Sequence, residues 1–173
     1  DSRIEKLKKS EIDFMEFPNA DFLERKLSSD STAKVLSKVK VENKIPKSWS
    51  YIGWNLAKPL FSDSNVRRAL NLAVNKDEIN KVFFDGQLYV INGPFHHSQE
   101  YGAKIRPFAG DIKLASSLLE KAGWIDSNKD GILDKTIDGV RVDFKFILSY
   151  AKRDYEKVWQ YLREEYRRIG IDM

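Results

Sequence analysis

Cysteine is absent from the 173 residues, so neither disulfides nor thiolate-bound metals have any part in this chain. Either redox compartment is compatible with that absence. Histidine is nearly absent too: there are two, and they are neighbours, His96 and His97. Adjacent side chains of an extended chain point apart, and zinc sites take at least three protein ligands. The pair therefore reads as loop histidines facing solvent or a cleft rather than as a metal site. No apolar run approaches the roughly 18 residues that a membrane-spanning helix needs. Residues 1–10 are charged and helical in pattern, with no signal peptide visible. Also missing are G-x-S-x-G, a phosphate-binding P-loop, H-E-x-x-H and any zinc signature. Asp13, Asp85, Asp154 and the Glu164-Glu165 pair fall at no spacing that identifies an acid–base dyad.

Charge of one sign is scarce as well, with 30 basic residues against 26 acidic and a net charge of +4. Nucleic-acid binding needs a clustered basic face. The most basic stretch, Lys152 to Arg168, interleaves its cations with Asp154, Glu156, Glu164 and Glu165, which makes a salt-bridged, solvated helix face. What the chain does have is apolar content, 42% hydrophobic and 12% aromatic, enough for a real core. Its length suits one ordinary domain or two small pieces of larger ones. No repeat or low-complexity segment appears.

The stretch on which the rest is organised is Tyr51 to Gly86, YIGWNLAKPLFSDSNVRRALNLAVNKDEINKVFFDG. Tyr51-Ile52-Gly53-Trp54-Asn55 is aromatic and apolar enough for a strand. Alternation puts Tyr51, Gly53 and Asn55 on one face and Ile52 and Trp54 on the other. Pro59 bars a helix from running through it. Ser62 or Asp63 then caps a helix whose Val66, Leu70 and Val74 form an apolar stripe. Ala69 and Ala73 flank that stripe and leave room for close approach of another element. Arg67 and Arg68 sit in the first turn, where the helix dipole disfavours cations, so something else must hold them.

Before this stretch, the pattern predicts an amphipathic helix over Asp1–Ser10 with Ile4 and Leu7 inward. A short strand over Glu11–Phe17, a helix capped by Asn19 and carrying Phe22, Leu23 and Leu27, and a strand over Lys34–Val41 follow. Ile45-Pro46-Lys47-Ser48 connects to the central segment. After it come a weak strand over Gln87–Asn92 and a long irregular span from Gly93 to Gly110. Gly110-Asp111 caps a helix over Ile112–Ala122 with Leu114, Leu118 and Leu119 inward and Gly123 at its end, Trp124 folding back onto it. Val140–Leu148 alternates as a strand, and Arg153–Ile169 is a helix with Val158, Leu162 and Ile169 inward. Gly170 ends that helix and Ile171 begins a further strand, which together suggest a βαβ crossover in an α/β layer.

Asp126-Ser127-Asn128-Lys129-Asp130-Gly131-Ile132-Leu133-Asp134 matches the first half of a calcium loop, with Asp126, Asn128, Asp130 and Asp134 as the oxygen ligands. The closing bidentate Glu is replaced by Ile137. An Asx-type turn held by carboxylate–backbone bonds is the first reading and a cation site the second.

An aromatic strand ending in Asn, then K-P-L-F, V-R-R-A-L-N-L-A-V-N-K-D-E-I and D-G, resembles the bacterial extracellular solute-binding proteins of family 5, the peptide- and nickel-binding components of ABC importers. Asp111–Asp134 is similar to that family's A-x-x-L-L-x-x-A-G-W-x-D-x-x-x-D-G-I segment, in which the D-G-I loop precedes a strand. Ile169-Gly170-Ile171-Asp172 resembles its I-G-I ending. Ile4–Phe17 resembles its L-x-x-G-E-I-D lead-in, with Ser10 where Gly is usual. The resemblance implies an incomplete fragment of a two-lobed α/β fold of the periplasmic-binding-protein class II type, matching an internal section of a longer protein. It implies residues 1–50 as a piece of the hinge-side lobe, 51–55 as an inter-lobe crossing strand, and 56–173 as the N-terminal part of the far lobe.

The same resemblance implies a non-enzymatic receptor, without cofactor, that captures oligopeptides or a similar solute and delivers them to a membrane permease. Its address would be periplasmic or extracellular, with a lipoprotein anchor on the parent one option and no membrane insertion by this chain. Tyr51, Trp54, Asn55, His96 and His97 are the ligand-binding candidates, whereas Phe61 reads as core. A ligand-sensing domain of a transcription regulator or signalling protein is the alternative use of the same fold.

Overall fold

The computed structural model describes residues 2–14, 49–84, 86, 88–91, 93–95, 100–105, 108–150 and 155–173. The chain divides into two compact units, Asp1–Lys47 and Ser48–Met173. In the first, helix α1 (Ser2–Lys8) lies within the helix expected over Asp1–Ser10 and stops two residues before its expected end, with Leu7 half-buried. Ser10 there takes a left-handed φ of 58°, and the Glu11 amide donates to the Lys6 carbonyl at 2.9 Å. This is the geometry that favours Gly one position past a helix end, and Ser10 holds it here. Residues 11–14 form no strand, so the short strand expected there is not found in its described part. The helix capped by Asn19, the strand over 34–41, the connector at 45–48 and the histidines at 96 and 97 lie outside the described residues.

The second unit is built around a pair of helices. Helix α2 (Pro59–Ser62) starts at Pro59, where a proline costs no hydrogen bond. Helix α3 (Ser64–Leu72) follows, capped by Asp63, whose carboxylate accepts from the Asn65 amide at 2.7 Å. Val66, Leu70 and Val74 are buried, as are Ala69 and Ala73. Helix α4 (Lys76–Phe84) and the single turn α5 (Glu100–Ala103) lead to helix α6 (Ile112–Lys121), capped by Asp111. Packing of α3 on α6 is the most extensive between any two elements described. The small residues Ala69 and Ala115 are both fully buried, and small side chains of this kind let two backbones approach closely.

Leu114, expected inward, is 42% exposed, and Ala115 takes its place. The Asp111 amide donates to the Leu72 carbonyl at 2.8 Å, tying the start of α6 to the end of α3. Two strands, β1 (Asp134–Ile137) and β2 (Val140–Asp143), form an antiparallel hairpin around Asp138 and Gly139, both at positive φ. Strand β2 is shorter than the expected run to Leu148. Beyond it Lys145 pairs only with Asp172, in a parallel bridge. Between those two residues lies helix α7 (Glu156–Arg167), so the expected βαβ crossover is represented among the described residues by this one parallel bridge rather than by two paired strands. Phe146 donates its amide to the Asp172 carbonyl at 3.0 Å, and Asp172 donates to Phe144 at 3.1 Å.

The core gathers Leu70, Leu119, Trp124, Phe144, Tyr166 and Ile171, all 2% exposed or less. Tyr166, at the centre, donates its hydroxyl to the Leu70 carbonyl at 3.2 Å and so satisfies its one buried donor. Buried Glu165 is paired with Arg168 at 2.9 Å. Among the described residues no helix is long and apolar enough to cross a membrane.

Candidate ligand-binding surface

Residues 51–55 carry the alternation read from the sequence: Tyr51, Gly53 and Asn55 are exposed, and Ile52 and Trp54 are half-buried against the core. They are not a strand, however, because no ladder partner lies beside them among the described residues. None of the backbone hydrogen bonds among the described residues involves positions 49–54. At Asn55 the chain turns: its side-chain oxygen accepts from the Ala57 amide at 3.1 Å and its carbonyl from the Lys58 amide at 3.0 Å. Asn55 is thus a turn-former whose amide oxygen is already committed. The segment expected as a strand over 87–92 is irregular over 88–91, because the Asn80 side chain takes both backbone groups of Leu88, at 2.8 and 2.9 Å.

Two cavities flank the segment. The first, about 870 Å³, lies between residues 49–55 and the run 145–150 that follows β2. Its wall is aromatic. Trp54 stands 5.0 Å from Phe61 and edge-on to Phe146 at 5.6 Å, while Tyr150 stands 5.8 Å from Trp159. Tyr51, 73% exposed, stacks at 4.9 Å on Trp49. Phe61 is buried, as the sequence suggests. The second cavity, about 570 Å³, lies between the same segment and helices α3, α4 and α7. Trp49, Tyr51, Trp54 and Trp159 line both. Trp159, whose indole N–H is buried without a hydrogen-bond partner, was not among the residues singled out from the sequence. Its place one residue after the inward Val158 marked it only as a flank of the apolar stripe.

Among the described residues the charged groups on these walls are all cations. Lys58 and Lys145 belong to the first cavity, and Lys145 is paired with Asp143 at 3.3 Å. Arg67 and Lys76 belong to the second. Arg67 answers the question of what holds a cation in the first turn of α3. Its Nη1 donates to the carbonyls of Phe61 at 2.8 Å and Ser62 at 2.7 Å, the unsatisfied end of α2. Burial pushes the Lys76 ammonium below its ordinary pKa, partly offset by Asp77.

The Asp126–Asp134 loop stands apart, with its oxygens turned onto its own amides. Asp126 accepts from the amides of Asp130 at 3.1 Å and Gly131 at 3.0 Å, and Asp130 accepts from Ile132 at 2.8 Å. Asp134 accepts from the amide and the hydroxyl of Ser127, and Arg141 lies 3.7 Å from it. These are the bonds of the Asx-type reading. Among the described residues no three acidic or histidine side chains converge on a point that could hold a metal.

Comparison with known proteins places this geometry. The sequence profile described as "Bacterial extracellular solute-binding proteins, family 5 Middle" matches residues 1–173. The oligopeptide-binding protein AppA of Bacillus subtilis is 29% identical over 173 residues, covering 98% of this chain and 30% of that protein. A solved structure of AppA in complex with a nonapeptide matches with a TM-score of 0.70 at 28% identity, over 99% of this chain and 32% of that one. The nickel-binding periplasmic protein of Escherichia coli K12 is 32% identical over 121 residues, 69% of this chain and 22% of it. The chain thus spans less than a third of the length of these relatives.

Proposed function

Because the chain belongs to family 5 of the bacterial extracellular solute-binding proteins and shares its fold with one part of those two-lobed receptors, we propose that it captures an oligopeptide or similar solute outside the cytoplasm for an ABC importer. One observation carries this. Six consecutive residues, 49–54, run between two cavities with no backbone partner among the described residues. Backbone groups in such a place find their partners elsewhere, and an extended peptide laid alongside supplies them while its side chains enter the aromatic walls. In this reading residues 1–50 belong to the hinge-side lobe, 51–55 cross between lobes, and 56–173 begin the far lobe. Tyr51 and Trp54 offer rings, Asn55 shapes the turn, and His96 and His97 are further ligand candidates.

No bond is made or broken. The ligand shifts an open–closed equilibrium through its contacts with both lobes, and the closed form docks on the permease. A single wall of a cleft encloses little of its guest, so peptide binding to these 173 residues is expected at about millimolar strength, near 4 kcal/mol. Tryptophan fluorescence titrated with a hydrophobic nonapeptide measures it. A saturable change, weakened in Tyr51→Ala with its exposed ring, supports the reading. No change up to about ten times that concentration sinks it, and micromolar affinity contradicts the one-wall geometry.

A further inference from the structure

Trp159 is the one residue of α7 that lines both cavities. Tyr155, one turn before it, lines the first, while Leu162 and Tyr166 beyond it line the second. The polar groups of the other α7 rings are accounted for. Tyr161 donates its hydroxyl to Glu78 at 2.9 Å, and Tyr166 donates to the Leu70 carbonyl at 3.2 Å. The Trp159 indole N–H differs. Among the described residues it is the one buried side-chain nitrogen or oxygen without a hydrogen-bond partner. Its ring neighbours are Tyr150 at 5.8 Å and Tyr155 at 6.4 Å, and a ring face is at most a weak acceptor. A buried donor left unmade is costly and rare in folded proteins, so its place between two cavities calls for a reason.

We propose that the Trp159 indole N–H is a ligand-binding group that donates to a main-chain carbonyl of the captured peptide. The proposal rests on the ligand-capture reading above and adds a residue and the ligand group it takes. An indole has a donor and no acceptor, so the group it receives must be an acceptor. Residues 49–54 border the same two cavities with their own backbone groups unpaired among the described residues. A peptide laid along them uses one edge, and its other edge still carries the carbonyls of alternate residues. Trp159 offers such a carbonyl a donor that has no other bond to give up.

The N–H is covered in the free protein, so a neighbour has to shift to admit the carbonyl. The run 147–150 is the part of the wall suited to that. Past the Phe146 amide bond to Asp172 it makes no backbone hydrogen bond among the described residues. Ile147 in this run is 93% exposed, and Tyr150, the ring beside Trp159, is 45% exposed. Moving such a segment breaks no ladder.

The test follows the four tryptophan indole N–H signals of the 173-residue chain by NMR during titration with the hydrophobic nonapeptide. The Trp159 signal is the one lost in Trp159→Phe. It should move downfield as the peptide saturates, and its exchange with water should slow. A second form carries benzothienylalanine at position 159, which keeps the ring shape and has sulfur in place of the N–H. Its peptide affinity, read from the other three indoles, should fall about two- to tenfold, as for the loss of one net hydrogen bond. Its thermal midpoint without peptide should equal that of the native chain, since no bond is lost there. A Trp159 signal that stays still while another indole saturates overturns the assignment and leaves ligand capture standing. Unchanged affinity in the benzothienylalanine form, or a lowered midpoint without peptide, does the same. No saturable change in any of the four signals overturns both.

Discussion

Gly170→Ala tests the turn that returns the chain from α7 to the segment beside β2. Gly170 has a φ of 77°, in the left-handed region, where an L side chain costs about 1–2 kcal/mol. The site is also tight. A Cβ there would stand 2.8 Å from Leu133 Cγ, 3.2 Å from its Cδ2 and 3.4 Å from its backbone nitrogen. Leu133 cannot simply move aside, because its amide donates to the Gly170 carbonyl at 2.7 Å. Overpacking of this kind costs about 1–3 kcal/mol. The two terms together give about 2–5 kcal/mol, a large share of the 5–15 kcal/mol that ordinary domains have.

Gly123 provides the matched comparison. Its φ is 83°, but a Cβ there meets only the far end of the Lys135 side chain, at 3.4 Å. Gly123→Ala should therefore cost the backbone term alone, about 1–2 kcal/mol. Urea unfolding followed by tryptophan fluorescence reports both. The result that refutes the reasoning is a Gly170→Ala midpoint equal to or above that of Gly123→Ala. In the expected case the damage also reaches the cavity wall, because Asp172 pairs with the chain at Phe144 and Phe146.

High pH should unfold the protein through its tyrosines. Burial raises the phenol of Tyr166 well above its ordinary value, and burial followed by the hydrogen bond to Glu78 raises Tyr161. The folded state then holds protons that the unfolded state gives up, so stability falls as pH rises beyond about 10. Lys76 has the opposite sign: its pKa is lowered, so its contribution rises with pH up to about 10 and then stays level. Denaturant melts across that range should show the fall, shallower in Tyr166→Phe; a flat profile counts against it. Helix caps give a further check. Asp63→Ala and Asp111→Ala each remove a side-chain acceptor for a first-turn amide and should each lower stability by about 1 kcal/mol; urea midpoints that do not move would reject the capping roles.

Helices were the most legible part of the sequence, because their period and their caps are both local. Asp63 with Val66, Leu70 and Val74, and Asp111 with Leu118, Leu119 and Gly123, behave as the pattern implies. The error at Leu114 has a packing cause. Where α3 and α6 approach closely, the buried position goes to the small Ala115, and the larger neighbour turns outward. Strands were less legible, since a ladder needs a partner that a local pattern cannot supply. Tyr51–Asn55 alternates without one among the described residues, and residues 88–91 of the expected strand are irregular where the Asn80 side chain grips Leu88. Strand β1 went unread although Asp138-Gly139 is the two-residue signal for a hairpin, with φ of 51° and 79°. The acidic loop just before it drew the attention instead. Of the site, the sequence pointed to the 51–55 ribbon, while Trp159 is brought beside it by a helix from a distant part of the chain.

The chain's near balance of charge conceals where the charges lie. With 30 basic and 26 acidic residues, composition alone gives no reason to expect a field of either sign at the site. The fold sorts them. Asp130, Asp134 and Asp143 gather around Arg141 at the hairpin, at 3.9, 3.7 and 3.0 Å, where hydrogen bonds and that guanidinium offset their charge. Hydrogen bonds from Asn128 and the Ile132 amide, with Arg141 adding, lower the Asp130 pKa. Among the described residues neither cavity wall carries a carboxylate, and Arg67 and Lys76 are on one of them. A nearly neutral total therefore says little about where the acidic and basic groups of this chain lie.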